Sequence, residues 1–254
     1  MTWLFIALPT PSSVPTEKRK VDWEQIKRCL AEIDKNSREF LQRALLIGGA
    51  ACWFYRIQLK RASDPDFKAN VLSPENESQW LSRDIDFTGI LSEEALSLLP
   101  HNIAEHEGRR YIEVDGVRLG FAQVGVTIDP EEAMAKARVG RITLEEKQVE
   151  FLVVDPLTLY YEKDKLCLQR GYPNGHLHRA LLHDYVAFDL VCGAERMLVD
   201  ERMSVADARQ VLAWWMSVRS KAPEILKDGR IRKRLAARLA DKTEHPIAKY
   251  LAGQ

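Results

Sequence analysis

Four apolar residues, Ala44-Leu45-Leu46-Ile47, run straight into Gly48-Gly49. A run this short and this apolar predicts a buried strand, and the glycine pair predicts a turn that stops it. Ala50 to Leu59 then reads as a helix. Upstream, Asp22 stands as an N-cap with Gln25 in capping-box position, and Trp23, Ile26, Leu30 and Ile33 fall on one helical face. The order helix, strand, glycine turn, helix commits the chain to a mixed α/β fold by Leu59.

The stretch from Ala62 to Glu77 is polar, contains Pro65 and Pro74, and reads as an inserted loop. Asp84-Ile85-Asp86-Phe87 reads as a strand. Ser92 caps a helix through Glu93, Glu94 and Leu98, stopped by Pro100. Tyr111 to Val114, the turn Asp115-Gly116, and Val117 to Val126 predict a hairpin that pairs 114 with 117 and 113 with 118. Asp129-Pro130 opens a short helix. A second hairpin is expected from Arg141–Leu144 and Val149–Val154 around Glu145-Glu146-Lys147-Gln148. From Asp155-Pro156 onward the pattern is helical. Leu157 to Leu168 and Leu177 to Cys192 are two helices, Ser204 caps a third, and Ile225 to Leu239 is a fourth. Residues 1–20, with the proline-rich stretch from Pro9 to Lys20, read as an arm and linker. Residues 21–154 read as a mixed-sheet core and residues 155–254 as a helical domain.

At 46% hydrophobic residues the chain can bury a substantial core. Lysine plus arginine and aspartate plus glutamate both number 37, which gives no sign of broad electrostatic capture of nucleic acid or an anionic membrane. A nucleotide or tRNA substrate is compatible with that balance. Cys29, Cys52, Cys167 and Cys192 form no Cys-x-x-Cys pair and read as reduced thiols of a cytoplasmic protein. Trp3 to Leu8 lacks a basic flank, is cut short by Pro9 and Pro11, and is too short to span a bilayer, so an apolar arm is expected there.

Asp84 and Asp86 are two apart, and on a strand residues i and i+2 share a face. Two converging carboxylates need a counter-charge, and Mg²⁺ suits an all-oxygen ligand set that keeps room for substrate phosphates. Ile85 and Phe87 would face the core behind them. Glycines at a strand-to-helix turn let a backbone approach phosphate closely, and the free N–H groups of the following helix favour an anion.

This ordered set, an apolar strand ending in Gly48-Gly49, a helix, and Arg83-Asp84-Ile85-Asp86-Phe87, resembles the DNA polymerase β-like nucleotidyltransferase superfamily. It looks closest to the minimal nucleotidyltransferases and the AbiEii-type toxin relatives. Asp155-Pro156-Leu157-Thr158-Leu159-Tyr160-Tyr161-Glu162-Lys163 is similar to the helix that follows the catalytic core in that family, with Lys163 as the matching lysine. The resemblance implies Mg²⁺-dependent transfer of a nucleotidyl group from a nucleoside triphosphate to a hydroxyl on RNA, protein or a small molecule. It implies Asp84 and Asp86 as metal ligands, Gly48 and Gly49 as the triphosphate cradle, and Arg83 and Lys163 as phosphate neutralisers. It extends to a toxin role with an antitoxin as partner.

The sequence departs from the family pattern in three places. Gly49 and Asp84 are 35 residues apart, which requires the Ala62–Glu77 insertion to loop out. Ala50 and Ala51 follow the glycines where some relatives carry a serine. Active relatives supply a third carboxylate from the next strand, whose best match is Val117-Arg118-Leu119-Gly120-Phe121, with Gly120 in the aspartate's place. Weak, altered or lost catalysis is implied, and the chain then reads alternatively as a nucleotide-binding or interaction module. Glu113 is either a replacement carboxylate or the salt-bridge partner of Arg118.

Other candidates read as structural. His176, His178 and His183-Asp184 are expected to be surface or satisfied residues rather than metal ligands, and Trp214-Trp215 core rather than a base-stacking platform. The cluster Lys227, Arg230, Arg232, Lys233, Arg234 and Arg238 is expected to be a solvated helix face, with RNA phosphates as the alternative. Glu162 and Asp164 are expected to solvate the helix that carries Lys163.

Overall fold

The computed structural model describes residues 20–67, 80, 84–89, 97–99, 103–106, 109–121, 129–170, 175–200 and 203–239. The expectations for Trp3–Leu8, for the helix capped by Ser92, for most of the insertion and for Arg83 lie outside the described residues. Helix α1 spans Trp23–Arg43, strand β1 Leu45–Ile47, α2 Gly48–Ala62 and β2 Ile85–Thr88. Strands β3 (Ile103–His106), β4 (Arg109–Val114) and β5 (Val117–Phe121) follow, then α3 (Pro130–Ala135), β6 (Arg138–Leu144) and β7 (Lys147–Val153). The remaining elements are α4 (Pro156–Arg170), α5 (Gly175–Val199), α6 (Val205–Lys221), α7 (Pro223–Leu226) and α8 (Gly229–Leu239).

The strands form one mixed sheet in the order β3-β4-β5-β2-β1-β7-β6. β1 runs antiparallel to β2, with Ile47 opposite Asp86, and parallel to β7, with Leu45 opposite Leu152. β2 runs parallel to β5, with Ile85 opposite Leu119 and Asp86 opposite Gly120. All three residues of β1 are buried, as suits an apolar strand in the middle of a sheet. α1 lies on the face that carries Phe87 and Phe121, where Phe40 meets both rings edge-on at 5.2 and 6.0 Å. α2 packs on the same face, where Phe54 meets Phe151 at 5.5 Å, and contacts α5 in turn. Tyr55 of α2 donates its hydroxyl to the Val154 carbonyl at 2.5 Å, pinning α2 to the end of β7. One connected set of buried apolar residues runs from Val21 on β1's side of the chain to Leu235 of α8. Among the described residues, no helix is long and apolar enough to cross a membrane.

Local signals place many of these elements. The Asp22–Gln25 capping box is formed in both directions, at 3.0 and 2.8 Å. Asp115 and Gly116 both adopt positive φ, 51° and 70°, the geometry of a tight two-residue hairpin turn, and the register pairs 113 with 118 and 114 with 117. Ser204 caps α6 through the Asp207 N–H.

Four expectations are corrected. The glycine pair does not precede α2 but forms its first two residues. The second hairpin turns on Glu145 and Glu146 alone, so Lys147 and Gln148 are strand residues paired with Leu144 and Thr143. β3 was not foreseen. The helix expected from Ile225 to Leu239 is two helices, parted at Lys227 and Asp228, where Asp228 accepts from the Arg230 N–H at 2.8 Å.

Asp34 ties α1 to the β6–β7 hairpin. Its carboxylate is almost wholly buried, accepts from Arg38 Nε at 3.0 Å and pairs with Lys147 Nζ at 2.8 Å. Burial pushes its pKa up, but hydrogen bonds and charge from Arg38 and Lys147 outweigh burial and hold it below the ordinary carboxylate value. The unfolded chain therefore binds this proton more tightly than the native one. The stabilisation is present above the unfolded value near 4 and is lost as pH falls through the native one. Asp34→Asn is expected to cost about 1–3 kcal/mol in urea unfolding at pH 7, with the difference from wild type shrinking below about pH 4. Glu145 and Glu146 hold φ of 47° and 67°, a region that side chains resist. Replacing them with Asn-Gly is expected to raise stability by about 1–2 kcal/mol, read as a higher melting temperature.

Candidate metal and nucleotide site

The sheet register builds the site from three adjacent backbones. Asp86 sits between Ile47 on β1 and Gly120 on β5. Gly48 follows Ile47 and begins α2 with φ +67°, a conformation open to glycine at low cost. A Cβ added to Gly48 would lie 2.9 Å from Asp86 Oδ2, and one added to Gly120 would meet Asp86 Oδ1 closer still. The Asp86 carboxylate thus rests in a cradle bounded by two residues without side chains. α2 has no acidic residue in its first turn, so its N-terminal N–H groups and dipole present positive potential on the side where Asp86 lies.

Asp84 stands one residue before β2 and is half-buried, like Asp86, while Ile85 and Phe87 are fully buried on the other face. The two carboxylates therefore share a face, with the core behind them. Gly48 and Gly49 belong to the first turn of α2. Lys163 is buried on α4, close enough to Cys52 for its charge to act on that thiol, and Cys52 lies one helical turn beyond Gly48. Glu162 is buried rather than solvating α4, a correction to the expectation, while Asp164 pairs with Arg179 at 2.7 Å.

Burial pushes the Cys52 thiol up to about 12, Lys163 opposes that rise and Glu162 adds to it. Cys52 is therefore a protonated core residue and not a nucleophile. Burial, followed by the positive charge of Lys163, pushes His178 down to about 3, so its imidazole is neutral at physiological pH. His178 lies 5.2 Å from the Trp80 ring. Trp80, four positions ahead of Asp84, also takes a hydrogen bond on its carbonyl from Trp53 Nε1, and the Arg56 guanidinium lies over both indoles at 4.8 and 5.2 Å. α2 thus anchors the chain on both sides of the site, Gly48 against Asp86 and Trp53 with Arg56 against Trp80. Sequence reading did not single out Arg56 or Trp80, and it named His178 as a surface or satisfied residue. The Trp53-x-x-Arg56 spacing of one helical turn was the signal present.

A second group, His183, Asp184 and Asp228, brings its possible ligand atoms within 4.8 Å of one another. Arg230 Nη2 already bonds Asp184 Oδ1 at 2.5 Å and Asp228 Oδ2 at 2.6 Å, while His183 Nδ1 is 3.8 Å from each carboxylate. The guanidinium supplies the positive charge these carboxylates need. Arg230 also lies over Phe67, and Arg234 pairs with Asp64 and Glu195. These two arginines clamp α8 to α5 and to the segment after α2, which corrects their expectation as a solvated face. Trp215 is buried and Trp214 packs under the Arg138 guanidinium at 4.8 Å.

No family model and no curated protein sequence matches the chain. Among solved structures, the chain is similar to the polyadenylate synthase of Megavirus, with 12% identity and a TM-score of 0.38 over 70% of this chain and 37% of that one. The chain therefore spans little more than a third of that protein's length. The case for a site rests on Gly48, Asp84, Asp86 and Gly120 themselves.

Proposed function

We propose that the chain binds a nucleoside triphosphate with Mg²⁺ where β1, α2 and β2 meet, and transfers its nucleotidyl group to a hydroxyl-bearing acceptor. The observation that supports this best is the Asp86 carboxylate lying against Gly48 and Gly120 at the start of α2, with Asp84 on the same strand face. These residues fit a divalent cation, since two half-buried carboxylates share one strand face and that of Asp86 lies in a cradle that a Cβ would fill. Bound there, Mg²⁺ would polarise the phosphate oxygens and offset their charge. Asp84 and Asp86 hold the cation, Gly48 and Gly49 let the triphosphate approach the N–H groups of α2, and Lys163 and Arg83 neutralise phosphate charge. The acceptor hydroxyl oxygen bonds to the α-phosphorus and gives up its proton to solvent, the bond from that phosphorus to the bridging oxygen breaks, and pyrophosphate leaves. In this reading residues 21–154 are the nucleotidyltransferase-like core and residues 155–254 a helical domain that contributes Lys163. The widely spaced cysteines suggest a cytoplasmic setting, and the motif resemblance a toxin paired with an antitoxin.

A second reading, a nucleotide-binding or interaction module, draws on Gly120. It faces Asp86 directly across the parallel register, where a third carboxylate would complete the ligand set, and the room it leaves is taken up by Asp86 itself. Such a module binds nucleotide and transfers nothing.

Calorimetric titration with each of the four nucleoside triphosphates, with and without Mg²⁺, tests the shared part of both readings. Asp86→Asn is expected to weaken Mg²⁺-dependent binding about ten-fold or more. Unchanged Mg²⁺-dependent affinity in that variant refutes both. Label transfer from an α-³²P triphosphate to RNA, protein or a small molecule, lost in Asp86→Asn, identifies the enzyme, and binding without transfer identifies the module. Gly48→Ala is expected to cost about 1–2 kcal/mol of stability, since alanine resists the left-handed φ, and to weaken nucleotide binding by displacing the Asp86 carboxylate. A Gly48→Ala protein with wild-type stability and affinity would show that the cradle plays no part.

A further inference from the structure

The β2–β5 register places one further charged residue at the site. Ile85 is opposite Leu119 and Asp86 opposite Gly120, and continuing that register one residue back, to Asp84 just before β2, would set Arg118 beside Asp84. On β5, Val117 and Leu119 are buried towards the core, and Arg118 and Gly120 alternate to the opposite face, the face of Asp84 and Asp86. Across β4 and β5, Glu113 is opposite Arg118. The strands thus set Glu113, Arg118 and Asp84 in one row across the sheet, and Gly120 and Asp86 in the next. Arg118 is half-buried, whereas Glu113 is exposed. A guanidinium gains more from a carboxylate in the partly desolvated position, where charge is less screened, than from an exposed one. That favours Asp84 over Glu113 as its principal counter-charge.

The geometry points to Arg118 as a charge-exchanging positioning residue of the site, paired with Asp84 when no cation is bound and turned to a phosphate of the nucleotide when a cation takes over Asp84. This rests on the reading of Asp84 and Asp86 as cation ligands. A guanidinium and a divalent cation compete for the same carboxylate oxygens, so Arg118 opposes cation binding taken alone. It favours triphosphate, because its planar fork then matches phosphate oxygens. The two effects have opposite signs, and loss of a purely structural residue would move both in the same direction. The exchange also gives the site an order of events, with the cation and its phosphates favoured together over the bare cation.

The test uses the full chain with Arg118→Gln and Arg118→Lys. Mn²⁺ alone, followed by electron paramagnetic resonance, is expected to bind Arg118→Gln several-fold more tightly than wild type. Tripolyphosphate in the presence of Mn²⁺ is expected to bind it several-fold more weakly, with Arg118→Lys between the two on both measures. Unchanged Mn²⁺ affinity in Arg118→Gln overturns the proposal, and so does weakening of Mn²⁺ and tripolyphosphate together. If wild type takes up Mn²⁺ neither alone nor with tripolyphosphate, the cation reading fails and the exchange is overturned with it.

Discussion

The register of three neighbouring strands is the constraint on which the rest depends. β1, β2 and β5 lie side by side, and their pairing brings Ile47, Asp86 and Gly120 into one row. A slip of a single residue in either pair would turn Asp86 towards Phe40 and expose Phe87 in its place. The aromatic contacts of Phe40 with Phe87 and Phe121 hold the dry face, and so fix which side of β2 carries its carboxylates. Burying Phe87 and presenting Asp86 are a single choice of register, and the large apolar gain on one face sets the polar geometry on the other.

Around that row, the polar groups buried in the core serve as fasteners between layers. Tyr55 reaches the Val154 carbonyl, and Asp155 accepts from the Leu157 and Thr158 N–H groups at 3.1 Å to start α4 where β7 ends. Arg56 is buried over two indoles, where a planar cation retains favourable interaction without water. Each of these groups joins elements that the apolar core alone would allow to slide.

What could be read in the sequence followed from how local its cause is. The Asp22–Gln25 box, the Asp115-Gly116 turn and the Asp129-Pro130 helix start each act over a few residues and are formed as expected. The Asp-x-Asp alternation also gave the correct buried and half-buried faces. The Glu145-Glu146 turn was read too wide, because two glutamates at positive φ contradict local preference and are held there by the seven-residue pairing of β6 with β7. β3 is four residues long and owes its strand form to β4. The inward clamp of Arg230 and Arg234 was hidden because its partners, Asp64, Asp184 and Glu195, are scattered along the chain. Arg118 was visible as a residue, but that its strand β5 lies beside β2 follows only from the order of the sheet.

The position of β1 also bears on how the chain reaches this state. Its flanking partners are β2 and β7, and Leu45 pairs with Leu152 from a distant part of the chain. The hydroxyl of Tyr55 closes onto Val154 across 99 residues. Until those distant segments arrive, an apolar strand and the helix behind it have no permanent neighbour, and the loop entropy of joining them is met before the pairing rewards it. The cradle around Asp86 likewise joins Gly48 and Gly120, which are far apart along the chain. A chain emerging from the ribosome would hold its glycines and aspartates in sequence long before it held them in space, and during that interval Leu45–Ile47 is the segment most exposed to pairing with another chain.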